Sequence, residues 1–323
     1  MAKQHKNEFT DPEIIKQIER FENSPAMQEK LRAVKREMRN KAVHPLSAKI
    51  LLFMIVAVGL ASGKTYIFVL ACVAFFFLSK YFDERKTDVD SAYINHFLVP
   101  MLNAICPGTK VHYFDGMDTA VLERFLPGSA RYESNCHILF ADDCRTEFAN
   151  MTSFHYERGE KKESVTITDF VGQILMIKLP TGISGHIRIV PVLDESWTGS
   201  SLHGRYGGKK DDEKDIRTES IEFNRNYSVF STDDFYTRLI LDPNVIDILN
   251  HWRQRMRICV YMNEEYIAVA FRSNRFLFSP PSTETEADHL SMAGEYDKVR
   301  VMLSDFYALI DLIREKLIKE QRS

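Results

Sequence analysis

Disulfide spacing is what this 323-residue sequence most plainly lacks. Its five cysteines, Cys72, Cys106, Cys136, Cys144 and Cys259, form no C-x-x-C pair and no regular framework. That excludes a disulfide-stapled scaffold and a thioredoxin-like motif, and it suits a reducing compartment. Excess positive charge is missing too. The 42 Lys and Arg residues face 45 Asp and Glu, a net charge of −3, so the chain as a whole is not built to bind nucleic acid. The ten histidines contain no i, i+4 pair, and neither H-E-x-x-H nor D-x-D-x-D occurs, so no metal centre or cofactor is expected. Ser200-Ser201 and Ser231 have no nucleophile-elbow context. No internal repeat is present. The first 45 residues are polar and carry no secretory leader pattern.

Charge is also absent from one long stretch, and that absence organises the chain. From Ile50 to Ser79 there are 30 residues and one charge, Lys64. A single helix of that length would run about 45 Å, against roughly 30 Å of hydrocarbon. It would also hold Lys64 near the midplane at a cost of about 3 kcal/mol. Gly59, Ser62 and Gly63 loosen the chain just before Lys64, so residues 46–82 are expected to form a two-helix transmembrane hairpin turning at Lys64. Lys49 and Lys80 would snorkel at the arm ends, with Tyr66 and Tyr81 as interfacial anchors.

Basic residues gather outside this hairpin. Lys30, Arg32, Lys35, Arg36, Arg39 and Lys41 precede it, and Lys80, Arg85 and Lys86 follow it. This predicts both termini in the cytoplasm, at a bacterial inner membrane. Residues 1–10 are expected to fray. Asp11-Pro12-Glu13 starts a helix, and Ser24-Pro25 starts a second with Met27, Leu31, Val34 and Met38 at helical spacing. The other side of that second helix carries the six cations just named before the hairpin, which are candidate contacts to anionic lipid. Packing of the helix on protein is the competing reading.

The roughly 240 residues after Phe82 must form a water-soluble body. The pattern predicts an α+β fold: N-terminal helices and the hairpin, then a mainly antiparallel sheet with flanking helices. Asp90–Ile105 reads as a helix that Pro100 can kink. Residues 149–157, 164–170, 174–179 and 186–192 read as four strands of an antiparallel meander, with a polar turn at Gly159–Lys162 and another at Pro180–Gly185. Residues 194–218, rich in Gly and charge, read as a mobile surface loop. Ile221, Phe223, Tyr227 and Val229 alternate as a strand. Ser231 or Thr232 then caps a helix with Asp233 and Asp234 in its first turn. Asp242-Pro243 starts another helix, Arg257–Phe271 is a hairpin, Phe276–Phe278 is a last strand, and Glu295–Gln321 is a long helix. The expected organisation is 1–45 basic amphipathic helices, 46–82 hairpin, 83–280 cytoplasmic α+β domain, and 281–323 acidic linker with C-terminal helix.

Few residues suggest chemistry. Val58–Thr65 ends in the GKT of a phosphate-binding loop, but Val58 stands where that loop requires glycine, and no strand precedes it. Asp142 and Asp143 are adjacent, so on an extended chain they point to opposite faces. His155 and His186 lie on expected strands. Cys144 and Cys259 would each need a partner base to act as nucleophiles. The densest polar set on expected structure is Glu222, Asn224, Arg225, Asp233, Asp234 and Arg238, which reads either as caps and ion pairs or as a recognition surface.

The order of these pieces resembles a bacterial membrane-protein family of unknown function, domain of unknown function 3137. The resemblance rests on the basic helix and apolar arms, Cys106-Pro107-Gly108, Phe170-Val171-Gly172 running into Ile174–Leu179, and Ile189-Val190-Pro191. It rests further on Glu222-Phe223-Asn224, Tyr227-Ser228-Val229, Ser231, Arg238, Leu241, Pro243 and Tyr266–Phe271. It covers roughly Lys80 to Pro280, plus the hairpin, and leaves out 194–218 and the tail. It implies a membrane-anchored α+β domain and supplies no reaction or catalytic residue. The expected function is therefore a non-enzymatic binding or scaffold domain held at the membrane, with the lipid bilayer and an unidentified protein as partners and a homo-oligomer left open. The alternatives are a membrane-tethered enzyme assembled around Asp142, His155 and His186, and a sensor of anionic lipid or another ligand.

Overall fold

The structure, a computed structural model, describes residues 12–41, 45–61, 63–158, 164–192, 206–273 and 275–320. Residues 1–10, the turn at 159–162, the first part of the 194–218 loop, and the side chains of Lys41, Lys49, Arg85 and Lys86 lie outside the described set. The chain divides into two compact units. Among the described residues, one holds 12–105 and 278–298 and the other holds 106–277 and 299–320.

The helical unit starts with α1 (Pro12–Glu22) and α2 (Pro25–Lys41), each with proline at its first position, where the missing N–H costs nothing. α2 buries Met27, Leu31, Val34 and Met38, four residues on one stripe, against protein. α3 (Pro45–Ala61) and α4 (Thr65–Tyr93) follow, joined at Gly63, whose φ of 62° favours glycine. They pack closely: a Cβ on Gly59 would stand 2.7 Å from Ala71 Cβ.

Here the expected two-helix transmembrane hairpin is corrected. Among the described residues one helix, α4, is long and apolar enough to cross a membrane, over Thr65–Phe82. α3 has 17 residues, which at 1.5 Å per residue reach about 26 Å, short of the hydrocarbon thickness. α4 then runs on into a π-helical turn, Ile94–Leu98, and α5 (Val99–Ile105). Pro100 explains the π turn. It has no N–H and crowds the carbonyl four residues back, so the ladder widens there without breaking.

The sheet unit contains β1 (Lys110–His112), α6 (Thr119–Phe125), β2 (Arg131–Leu139), β3 (Glu147–Arg158), β4 (Ser164–Lys178) and β5 (His186–Pro191). β6 (Lys214–Ile216), α7 (Ile221–Asn226), β7 (Tyr227–Ser231), α8 (Asp234–Ile240), α9 (Pro243–Arg255), β8 (Ile258–Asn263) and β9 (Tyr266–Arg272) follow. Then come α10 (Glu284–Asp288), which groups with the helical unit, and α11 (Met292–Glu320), whose first turns do the same. The nine strands make one sheet in the order β1-β2-β3-β4-β9-β8-β5-β7-β6, every pairing antiparallel. Mixed helix and antiparallel sheet are thus as expected.

Several details differ from the sequence reading. The strands expected at 164–170 and 174–179 are one strand, β4. The expected meander is interrupted, because β9 and β8 lie between β4 and β5. The connection after β4 passes the β8–β9 turn and is tied there: the Leu179 and Thr181 amides donate to the Glu265 and Glu264 carbonyls at 2.9 and 3.0 Å. The 194–218 loop is structured from Tyr206 onward and supplies edge strand β6. Ile221–Asn226 is helix, not strand, because the Ser220 hydroxyl accepts from the Phe223 amide and caps it. Asp233, not Ser231 or Thr232, caps α8. No strand forms at Phe276–Phe278.

Both faces of the central strands are covered, which is why β8 and β9 read as continuous apolar runs. On one face α6 and Tyr206 close a core with Met151, Phe170, Ile174, Met176, Phe230 and Tyr261. On the other, Trp252 of α9 stacks near Phe271 with ring centroids 5.5 Å apart. Lys316 pairs with Asp242 at the start of α9, and Arg255 at its end lies 3.9 Å from Asp305, so α9 and α11 run antiparallel.

Candidate functional site

The most complete buried polar constellation sits on β5. His186 and Arg188 are two residues apart, so both face the α6 side of the sheet. Arg188 is fully buried. Its Nε and one terminal nitrogen donate to the two oxygens of Glu213 at 2.6 and 2.8 Å, and its terminal nitrogens also reach the Tyr206 and Gly208 carbonyls at 3.0 and 2.8 Å. Glu213 further accepts from the Lys210 amide at 2.7 Å and faces His186 Nε2 at 2.7 Å. Burial by itself would raise the Glu213 pKa. The Arg188 guanidinium, the Lys210 amide and His186 outweigh it and hold the carboxyl at about 2. The guanidinium lies over Phe230, 5.3 Å from the ring centre. His186 stacks on Tyr261 at 5.7 Å, and Arg124 of α6 lies over Tyr261 and Tyr266 and donates to the Tyr266 hydroxyl at 2.8 Å. Both Glu213 oxygens and all three guanidinium nitrogens are engaged, so the arrangement closes on itself. It latches residues 206–213 to the sheet. The sequence signal was Arg188 at an inward position of an otherwise apolar strand.

Asp142, His155 and His186 are not brought together. Asp142 lies in the β2–β3 turn, where it accepts from the Thr146 amide and hydroxyl at 2.7 and 2.6 Å and from the Tyr307 hydroxyl at 2.5 Å. It ties α11 to the sheet. His155 lies eight residues along β3 from Glu147, about 26 Å of strand. Its ring nitrogens face Asp169 Oδ1 at 2.6 Å and Glu157 Oε1 at 2.8 Å. Ser129 donates its one hydroxyl proton to Asp169 Oδ2 at 2.9 Å and lies 2.9 Å from the Ser153 hydroxyl, so that proton points at the carboxylate and not at the histidine. His186 on β5 is four strand spacings from β3, roughly 19 Å. Burial pushes the Cys144 thiol up to about 11 and the Cys259 thiol to about 12, so neither is a thiolate near neutrality. Among the described residues no group of three or more His, Cys, Asp or Glu is placed to hold a metal ion.

The six polar residues around β7 fall into two groups. Glu222, Asn224 and Arg225 are on α7, before β7; Asp233, Asp234 and Arg238 come after it. The five residues of β7 separate the groups by about 17 Å. Asn224 Nδ2 donates to the Thr218 carbonyl at 2.7 Å, and its Oδ1 accepts from the Thr218 amide at 3.0 Å. Asp233 accepts from the Tyr236 amide at 3.1 Å and the Ser184 amide at 2.9 Å. Asp234 and Arg238 pair at 3.1 Å, exposed, one helical turn apart. Glu222 and Arg225 are exposed. Replacing Arg238 with alanine is expected to change stability by less than about 0.5 kcal/mol, whereas Asp233→Ala should cost about 1 kcal/mol or more through the lost cap. Thermal melts of the two variants check this contrast.

On α2, Lys30, Arg32, Arg36 and Arg39 are exposed and Lys35 is half-buried. Lys35 Nζ donates to the Asp288 carbonyl at 3.2 Å. Arg39 Nε donates to the Asp288 carboxylate at 3.1 Å and lies 3.5 Å from Glu284. The acidic helix α10 therefore lies along part of this basic face.

Comparison with known proteins gives one family match. Residues 168–315 match the model of the family described as protein of unknown function, DUF3137. The match starts in β4 and ends in α11. It takes in the 194–218 segment and most of the tail, which the sequence reading had left outside, and it leaves out α1–α5. Among solved structures, the mycobacterial trehalose monomycolate transport factor A, TtfA, is similar over 62% of this chain and 92% of that chain, at 11% identity and a TM-score of 0.33. No curated protein matches.

Proposed function

We propose that this protein is a membrane-anchored binding protein, in which α4 enters the lipid bilayer with α3 packed along it and holds the mixed α/β unit at the membrane surface. One observation carries the reading. The apolar window Thr65–Phe82 buries none of its residues within the protein. Val69, Leu70, Val73, Phe76 and Phe77 of α4 are exposed, as are Phe53, Met54, Val58 and Leu60 of α3. Apolar side chains pointing outward all around a helix pair require an apolar solvent. α2 packs against α4 and the π turn, so the basic residues of α2 stand beside the segment that follows the apolar window of α4. These Lys and Arg residues favour the cytoplasmic side of a bacterial inner membrane. The sheet unit is then the part offered to a protein or small-molecule partner.

The cysteines give a direct test. Cys106, Cys136, Cys144 and Cys259 are buried, while Cys72 faces outward from α4. In isolated membranes a water-soluble maleimide should leave the native chain unlabelled, and detergent should open Cys72 alone to it. Rapid labelling of Cys72 without detergent, or release of the full chain by alkaline carbonate, would overturn the anchor. A chain lacking residues 45–82 should be released by the same treatment.

A further inference from the structure

We infer that the stripe Arg32, Lys35, Arg36 and Arg39 on α2 is a docking surface for anionic lipid headgroups, and that α10 is its internal competitor. The inference rests on the membrane-anchor reading and adds the lipid chemistry it selects. The four residues are spaced i, i+3, i+4, i+7, so they form one line along the helix. The apolar side of α2 is buried against protein, so this line faces outward and not into lipid. It therefore meets headgroups by charge, not by inserting an apolar face. Three residues separate the end of α2 at Lys41 from the start of α3 at Pro45, so a chain of at most about 14 Å links the stripe to the apolar helix pair. The stripe is held within reach of the bilayer surface.

α10 supplies the second observation. Thr283 caps it, accepting from the Glu286 amide at 3.2 Å, and Ala287 anchors it by burial. Glu284 and Asp288 are one turn apart and both reach Arg39, while the Asp288 carbonyl takes Lys35. Two carboxylates on a short, polar helix thus converge on one of the four cations, Arg39, as headgroup phosphates would, and a backbone carbonyl of the same helix takes a second, Lys35. Arg32 and Arg36 make no ion pair among the described residues and stay open. The Arg39 contacts are exposed, so they are weak in water and yield to a denser array of negative charge. Neutral lipid leaves α10 in place; anionic lipid displaces it.

The test uses the full chain solubilised in detergent and titrated with dioctanoyl phosphatidylglycerol or dioctanoyl phosphatidylcholine, counting bound lipid by native mass spectrometry. Phosphatidylglycerol is expected to be retained preferentially. Arg32→Gln/Arg36→Gln should weaken that retention on the order of twenty-five-fold, since each of the two cations near an anionic surface contributes about a factor of five. Glu284→Gln/Asp288→Asn should strengthen it. All four side chains are exposed, and unchanged melting of the variants shows that the fold is kept. Equal retention of the two lipids, or a preference indifferent to both double variants, would overturn the inference. So would an oligonucleotide or glycerol 3-phosphate binding the stripe as well as the lipid does, since the surface would then be a general polyanion or phosphate site. If Cys72 instead labels freely in membranes, it is the anchor reading that fails.

Discussion

Arg188→Met is expected to destabilise the sheet unit by about 3–5 kcal/mol, because it leaves the Glu213 carboxylate buried without its counter-charge. For a unit of this size that is a fall in melting midpoint of roughly 10 °C. Loss should begin at the β6 edge. Arg188 holds the Tyr206 and Gly208 carbonyls as well as Glu213, so residues 206–213 lose their attachment together and β6, paired only with β7 among the described residues, follows. Hydrogen exchange should show those amides opening before β4, β8 and β9. The double variant Arg188→Met/Glu213→Leu should recover much of the loss, since an apolar pair leaves no orphan charge. A single variant as stable as the parent would mean that the latch does not hold the loop.

The same latch sets an acid limit. Glu213 sits at about 2, against an ordinary value of 4.5, so its folded-state pKa is depressed. A depressed carboxylate contributes its stability in full above the unfolded value and loses it as pH falls through the folded one. The window runs from about 4.5 down to about 2, and on the order of 3 kcal/mol disappears across it. Glu147 adds in the same direction, held low against its burial by His137 and Lys178. Glu213→Gln should flatten the dependence between pH 4.5 and 2 that the parent shows in acid-unfolding curves.

How much of this could be read from the sequence depends on the range of the interaction. Local signals were legible. Pro12 and Pro25 mark the helix starts, Met27, Leu31, Val34 and Met38 give the buried side of α2, and the uncharged run gives the outward-facing helices. Helix capping was legible in kind but slipped in place. Ser220 converts an alternating Ile221–Phe223 pattern into helix by accepting one amide bond, which no periodicity reports. Strand order was not legible. β5 leaves β4 and pairs with β8 and β7 because of contacts made 36 to 77 residues away. The 206–218 segment looked like a loop because its anchor, Arg188, lies 25 residues before Glu213. Composition saw the glycines and charges but not the partner. The six polar residues around β7 looked like one group because they are close in sequence. β7 runs between them as an extended strand and carries them apart.

Gly172→Val is expected to prevent the sheet unit from folding, and Gly172→Ala to cost at or above the roughly 3 kcal/mol of severe overpacking. Gly172 pairs with Arg272 where β4 meets β9. A Cβ there would lie 2.0 Å from the Phe271 carbonyl oxygen and 2.8 Å from the tip of the Phe170 ring. The carbonyl is backbone and cannot rotate aside, so β9 itself would have to move. Phe271 would move with it, away from Trp252 on the helical side, while Phe170 would be driven into the core that holds Tyr206 on the other. One methyl group would therefore disturb both layers at once. This gives a physical reason for glycine in the Phe170-Val171-Gly172 run, on a strand where every other position from Phe170 to Ile177 carries a side chain. Gly208 is the control: an added Cβ meets nothing within 4 Å, so Gly208→Ala should stay within about 0.5 kcal/mol of the parent. Melting of the two alanine variants side by side decides the point. If Gly172→Ala melts with Gly208→Ala, the strands are farther apart than the structure has them, and the close β4–β9 approach is wrong.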